Sequence, residues 1–456
     1  MRGNDARRDA EGTAGMPTFP YQTATADQIA ERARSLVGRT LIELQPSLAP
    51  MLPSSSATKG VVGRIFEACF DIPQNSIAGP DFPGAGIELK SVPILIAGSE
   101  ARAKERISVG MIDFDRLAKE VWETASVRKK LDRMLLIFYG WQPLQPISRF
   151  KALAGGVWSP DAETWLAVEA DWRTIQSFVV AGRRSEVSES LTRVLGAATK
   201  GPGHGSISRA WSLKQPFVGW IYRSMTGDAP PAMEVVAEDP ARVFEAEVLA
   251  RLRPHIGQSF DALAIATGRA GLGGKAGVAA TVRSLLGQPV HGRTGEFARY
   301  GIEVKTVPVD AQGKIVEAMS FPAFHHEELI YETWEASDLL GRLNRLLIVP
   351  VHRSKGASLA TTRLGKPLLW SPAQEELVGI QAEWERFRHL IEIGQARDLP
   401  KASETTYIHV RPKARDASDR DNAPGGVDVI KKCFWLNQSY VGRILATNDA
   451  LTPPRN

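Results

Sequence analysis

Apolar and polar positions along this chain follow two different periods. Residues 25–37 carry apolar side chains at helical intervals, and Val61–Phe70 is a second, more strongly apolar stretch of the same kind. Ile87–Ile94 and Leu135–Tyr139 are rich in β-favouring residues and bounded by Gly and Pro, which predicts strands. Ser159-Pro160-Asp161 reads as the start of a helix that buries Trp172. Each half of the chain therefore reads as mixed α/β.

The pattern also repeats. Gly86-Ile-Glu-Leu-Lys-Ser-Val-Pro-Ile94 returns as Gly301-Ile-Glu-Val-Lys-Thr-Val-Pro-Val309, with six of nine positions identical. Trp122-Glu123, Arg133–Ile137, Trp158-Ser-Pro160, Trp172 and Gly182 all return 212 residues later, as Trp334-Glu335, Arg345–Val349, Trp370-Ser-Pro372, Trp384 and Gly394. Leu213–Gly219 returns as Leu436–Gly442. A fixed order over so long a stretch predicts a tandem duplication. The first copy is 19–223 and the second 243–456, joined by a linker at 224–242 that contains Pro230-Pro231. The recurring tryptophans read as core, because large aromatics mostly pack.

Composition narrows the class. The 456 residues, 43% hydrophobic and 23% charged, are ordinary for a folded protein of two to three domains. A net charge of +5 fits a polyanionic partner without requiring one. Two cysteines, Cys69 and Cys433, both in apolar surroundings, point to a reducing compartment and hence to a cytoplasmic protein. No apolar run approaches the roughly 18 residues that a membrane span needs. Residues 1–18 lack the apolar segment of a signal peptide and read as a disordered tail.

Candidate chemistry begins at Asp81, which lies in a Gly/Pro loop seven residues before Glu88. Glu88 and Lys90 are two apart on a strand, so they share a face, and they interrupt an otherwise core-like run. Asp-x6-Glu-x-Lys alone is a weak motif, and an ordinary edge-strand ion pair gives the same spacing. Phosphodiester hydrolysis gives it meaning: magnesium takes hard oxygen ligands from one or two carboxylates while keeping several waters. Asp81, Glu88 and the Leu89 carbonyl are such ligands, and Lys90 is suited to orient the attacking water. Glu67, alone among apolar neighbours in Arg64–Phe70, is either a third site carboxylate or a solvent-facing residue of an amphipathic helix.

These residues carry a resemblance. Lys59–Glu67 followed by Asp81–Pro93 resembles the metal-site region of the MutH family, mismatch-repair nicking enzymes. Leu368–Pro372, Ile408–Ala414 and Phe434–Gln438 follow the order of that family in the second copy. The resemblance implies a tandem pair of PD-(D/E)xK restriction-endonuclease-like domains, each a mixed sheet flanked by helices. It is strongest to the two-copy, GATC-cutting type II restriction endonucleases related to MutH, in which one copy cuts and the other binds DNA and regulates.

The implied catalytic set is Glu67, Asp81, Glu88, Lys90 and Lys130, with Mg2+ on Asp81, Glu88 and Leu89. The implied DNA contacts are Lys59, Lys200, Arg411 and Lys413. The implied partners are double-stranded DNA, a transient homodimer on that DNA and a cognate DNA methyltransferase. The second copy departs from the pattern: Glu296 replaces Asp81, Arg283 replaces Glu67 and Arg342 replaces Lys130, while Glu303 and Lys305 remain. Arginine in place of an acid repels a metal, so the second copy is expected not to cut. Ser212 stands where the family has a tyrosine tied to sensing adenine methylation, which favours a restriction enzyme over a hemimethylation-dependent nickase.

Two motifs are decoys. Gly268–Gly277 has Arg269 and Ala276 where a phosphate-binding loop needs Gly and Ser or Thr. His325-His326-Glu327-Glu328 lacks the His-Glu-x-x-His spacing. A mismatch-repair nickase working with a MutL-like partner, and a DNA-binding protein without activity, are the alternative readings.

Overall fold

The computed structural model describes residues 17–46, 60–73, 79–97, 100–142, 145–200, 208–227, 238–269, 274–290, 292–353 and 358–452. Lys59, most of the expected tail and the middle of the expected linker lie outside the described residues. The chain packs as two units, 1–92 with 133–159, and 93–132 with 160–456. The sequence repeat and the packing units are thus different divisions of one chain.

In the first unit, helix Ala26–Leu36 starts at Thr25, whose hydroxyl accepts the Gln28 N–H while Gln28 Oε1 accepts the Thr25 N–H. The helix buries Ile29, Ala33 and Leu36 against strand Ala152–Trp158. Gly155 permits that approach, since a Cβ there would lie 2.9 Å from the Ala33 carbonyl oxygen. Strand Met134–Trp141 pairs antiparallel with Ala152–Trp158. Its residues from Met134 to Tyr139 are all buried, which explains the unbroken apolar run in the sequence. Helix Val61–Cys69 buries Val62, Ile65, Phe66 and Cys69. The rings of Phe19, Phe70 and Phe82 meet edge-on at 5.3–6.3 Å and pin the loop that precedes strand Glu88–Ala97.

The second unit holds further sheets. Strands Ile107–Met111, Arg209–Leu213 and Leu195–Thr199 form one antiparallel sheet. Helix Ala162–Val180 packs beside it, capped by the Asp161 carboxylate, which accepts the Thr164 N–H at 2.7 Å. Its Asp171 accepts three backbone N–H groups, from Arg193, Val194 and Leu195, at 2.7–2.9 Å. Further along, strand Ile302–Val309 runs parallel to Arg345–His352 over eight residues, and Leu368–Trp370 adds antiparallel. Met319–Phe324, Lys432–Leu436 and Ile408–Pro412 form a separate three-stranded sheet.

The order of elements repeats as the sequence does. A single 3-10 turn at Trp122–Thr124 precedes helix Ser126–Leu131, and one at Trp334–Ala336 precedes helix Asp338–Leu343. Helices Ala162–Val180 and Gln374–Glu392 are both 19 residues long. Trp122 meets Trp172 at 5.6 Å and 48°, and Trp334 meets Trp384 at 5.7 Å and 55°. These tryptophans are buried core residues. Cys69 and Cys433 are both buried free thiols. Among the described residues, no helix is long and apolar enough to cross a membrane.

Candidate active site

A tight turn delivers the first cluster. The Phe82 and Gly86 N–H groups donate to the Ile87 and Phe82 carbonyls, both at 2.9 Å. Gly86 sits at φ 66, in the left-handed region that a residue with a Cβ rarely adopts. The turn sets Asp81 against the start of strand Glu88–Ala97, where its Oδ2 accepts the Leu89 N–H at 2.7 Å. Lys90 Nζ lies 2.8 Å from Glu88 Oε1, with the side chains 29% and 40% exposed, so this pair is open to solvent.

Helix Val61–Cys69 supplies Glu67. Burial raises its carboxyl pKa, and the negative charges of Asp81 and Glu88 add to that, while Arg64 and Lys90 pull it down. Burial likewise raises Asp81, helped by Glu88 and opposed by the Leu89 N–H and Lys90. Three carboxylates and one lysine therefore share one electrostatic neighbourhood, in which the acids repel one another. A divalent cation would relieve that repulsion. Among the described residues, no three His, Cys, Asp or Glu side chains are grouped as a complete metal cage. Asp81 and Glu88, close enough for each charge to act on the other, could contribute oxygen ligands to an ion that keeps several waters.

Lys130 belongs to the second unit, exposed on helix Ser126–Leu131. A Cβ at Gly110 would lie 2.6 Å from its Nζ, so glycine at 110 leaves the ammonium its place. Nothing in the sequence marked Gly110. Lys200 is exposed just beyond strand Leu195–Thr199, its N–H donating to the Ser208 carbonyl. Arg411 is exposed on strand Ile408–Pro412. Lys413 follows it and donates to Ser320 Oγ at 3.1 Å and to the Phe321 carbonyl at 2.5 Å. Ser212 is 1% exposed inside strand Arg209–Leu213, where its side chain presents no surface to a base.

The counterpart in the second copy has the same strand and a different environment. Lys305 Nζ lies 2.9 Å from Glu303 Oε1, but here the side chains are only 14% and 12% exposed. Arg342 reaches Glu303 Oε2 at 3.0 Å and Asp338 Oδ2 at 2.7 Å. Burial opposes ionisation of Glu303, yet Lys305, Arg342 and Arg293 together hold its carboxyl far below the usual carboxylate range. Lys305 also donates to the Ser320 carbonyl at 3.0 Å and lies 4.6 Å from the centre of the Phe321 ring. Arg283 gives its guanidinium to the carbonyls of Pro289 and Gly292. Glu296 lies in the first turn of a short helix, Gly295–Arg299, instead of a loop like that of Asp81. Glu303 is thus held by two cations, Lys305 and Arg342, where Glu88 meets Lys90.

A family model described as "DNA mismatch repair enzyme MutH" matches residues 70–171 and again 292–383. The first match holds Asp81, Glu88, Lys90 and Lys130; Glu67, Lys200, Arg411 and Lys413 fall outside both. A "Type II restriction enzyme Sau3AI" from Staphylococcus aureus is 28% identical over 341 residues, covering 69% of this chain and 68% of that protein. A "DNA mismatch repair protein MutH" from Shigella flexneri is 31% identical over 160 residues, covering 34% of this chain and 69% of that protein. A protein of the same description from Escherichia coli is 32% identical over 155 residues, covering 33% of this chain and 67% of its own length.

Proposed function

The chain belongs to the MutH family, and from that premise we propose that it is a type II restriction endonuclease that cuts double-stranded DNA at a short specific site. The reading takes the chain as a tandem pair of PD-(D/E)xK domains, the catalytic one at 19–223 and a DNA-binding, regulatory one at 243–456. The observation that carries it is the cluster of Glu67, Asp81, Glu88 and Lys90, three acids and a lysine around one solvent-accessible strand face. GATC is the site implied by the resemblance.

Asp81, Glu88 and the Leu89 carbonyl would hold Mg2+, which when bound supplies charge neutralisation at the phosphate and a water of lowered pKa. Lys90 Nζ lies beside Glu88 and is placed to orient the attacking water and offset charge on the phosphate. Lys130 joins this set by the resemblance. Its counterpart Arg342 touches the strand glutamate of the second copy, which supports that assignment. Lys59, Lys200, Arg411 and Lys413 are assigned to the DNA backbone, where lysine and arginine give sequence-independent affinity. One catalytic centre per chain and two strands to cut favour a transient homodimer on a two-fold site. A cognate methyltransferase would protect host DNA in the same cytoplasm.

Incubation with a sequenced plasmid and Mg2+ tests the proposal: it predicts double-strand ends at one short motif. Asp81→Ala should remove cleavage and leave DNA binding intact; a variant that still cuts would sink the site assignment. The nickase reading predicts single-strand breaks and strict dependence on hemimethylated DNA. Against it stand the relatives, since the type II enzyme aligns over 69% of this chain and the Shigella flexneri MutH over 34%. Equal cleavage of unmethylated and hemimethylated substrate is expected, with Ser212 buried where a methyl-sensing aromatic would be needed.

A further inference from the structure

A cleft of about 670 Å3 in the second unit opens beside helix Gln438–Thr447. The helix is ten residues long and starts at Asn437, a residue type that commonly caps a helix with its own side chain. Here it does not. Asn437 Nδ2 donates to the carbonyl and hydroxyl oxygens of Thr405, and its Oδ1 meets Nδ1 of His409. A carbonyl oxygen only accepts, so the Thr405 contact fixes the amide orientation, and His409 Nδ1 carries the proton that Oδ1 accepts. His409 Nε2 is left without a partner, although the residue is 1% exposed and lines the cleft. Gln438 and Ser439 also line the cleft, at the first turn of the helix, whose N–H groups Asn437 leaves uncapped.

The charges around this point favour an anion. Arg411, two residues beyond His409 on strand Ile408–Pro412, lines the same cleft, as does Lys314 in the turn after strand Ile302–Val309. No acid lines it among the described residues. Acids of the adjoining segments are engaged elsewhere. Asp310 accepts the Gln312 and Lys314 N–H groups, and Glu404 accepts the Lys401 N–H. Glu317 and Asp449 lie 3.4 Å from Arg353 and 3.6 Å from Lys366. Trp435, whose ring stacks on His409 at 6.3 Å, is uncharged. A helix N-terminus offers N–H groups and a partial positive charge to an oxyanion. We propose that this cleft seats a phosphate of the DNA backbone, held by the open start of helix Gln438–Thr447, Arg411 and Lys314, with His409 taking up a proton to donate to it. In the free chain burial lowers the His409 pKa and Arg411 adds to that, against the Asn437 bond; an anion at Nε2 reverses the bias. The first copy lacks the device. At the start of its helix Gln215–Thr226, Lys214 replaces Asn437, and Pro216, which has no N–H, replaces Ser439. The inference rests on the reading of the second copy as DNA-binding and does not depend on cleavage by the first.

Fluorescence anisotropy of the full-length chain with labelled duplexes in EDTA reads the site without any cleavage. Duplexes carrying one neutral methylphosphonate at successive positions scan the backbone. At least one position should weaken wild-type binding severalfold and have no further effect on Ser439→Pro or Lys314→Gln. Ser439→Pro gives the second copy the proline of the first; it removes an N–H where a helix tolerates proline and changes no charge. Lys314→Gln, in an exposed turn, should also lower the slope of log K against log salt by about 0.9. Wild type should gain affinity from pH 8 to pH 6 by a larger factor than His409→Gln, which cannot take up the proton. Sodium phosphate added at constant ionic strength separates the sources. Saturable displacement of DNA, with no methylphosphonate position that responds to the variants, assigns the cleft to a free anion and overturns the proposal. Weaker DNA binding by Lys413→Gln beside unchanged binding by Ser439→Pro and Lys314→Gln sinks this cleft alone; indifference to all three substitutions sinks the DNA-binding reading of the second copy with it.

Discussion

Glu67 and Asp81 pay for their place in the cluster with raised carboxyl pKa values, and the sign of that shift is testable. A folded-state pKa above the unfolded value means that the folded chain binds more protons within that window. Its contribution to stability is therefore full below the unfolded pKa and is lost as pH rises through the folded one. Metal-free Glu67→Gln or Asp81→Asn should accordingly melt at or above the wild-type temperature at pH 8, with a smaller difference at pH 5. Mg2+ should raise the melting temperature of the wild type and not that of Asp81→Asn, because only the former keeps both carboxylates. Scanning calorimetry at the two pH values, with and without the ion, checks both statements. Lower melting temperatures for the variants at both pH values would mean that these acids are structural supports instead of ligands held in reserve.

At the scale of elements, one strand sequence occurs twice with opposite consequences. Glu88–Lys90 lies half-exposed, and such a pair is worth about 0–1 kcal/mol. Glu303–Lys305 lies almost buried with Arg342 on the same carboxylate, and removing one partner of a buried set costs about 3–5 kcal/mol. Denaturant unfolding should therefore find Glu303→Gln strongly destabilised and Glu88→Gln close to wild type; equal effects would contradict the contrast. The strands themselves were legible: Ile87–Ile94 and Leu135–Tyr139 fall inside strands Glu88–Ala97 and Met134–Trp141 but for Ile87. The helix start at Asp161 was legible because a cap is a local device. Strand Leu195–Thr199 was not. Its Leu-Gly-Ala-Ala-Thr sequence has no alternation, and it is a strand because Arg209–Leu213 pairs with it and Asp171 takes the N–H groups at its entry. The same limit hid the meeting of Arg102, Asp338 and Arg342. Asp81, Glu88 and Lys90 are neighbours in sequence, whereas Arg102 and Arg342 meet on Asp338 only after the chain has folded across more than two hundred residues.

Across the whole molecule, buried charge joins segments far apart in sequence within the second unit. Glu245, 9% exposed, accepts from Arg193 and takes a two-pronged contact from Arg345 at 2.6 and 2.8 Å. Nearby, Arg299 bonds Glu163 at 2.8 Å and Asp161 at 3.0 Å, and the Tyr300 hydroxyl donates to Glu163 at 2.5 Å. Burial opposes ionisation of Glu245, but the two arginines outweigh it and lower its pKa. A depressed carboxyl pKa contributes stability above the unfolded value, and that stability is lost as pH falls through the folded one. The Arg193–Glu245–Arg345 triad should therefore weaken on acidification below the usual carboxylate range. Glu245→Gln leaves two largely buried guanidiniums facing each other and should cost roughly 3–5 kcal/mol at neutral pH, with a flatter acid dependence than wild type. Replacing all three residues by methionine removes the charges together, and should recover most of that loss because no uncompensated charge stays behind. Melting curves of the two variants from pH 3 to pH 8 separate the contributions. If Glu245→Gln melted like the wild type, water would have to reach the triad and screen it. If the methionine triple were the worse of the two, packing of the long arginine stems, and not their charge, would be what holds these segments together.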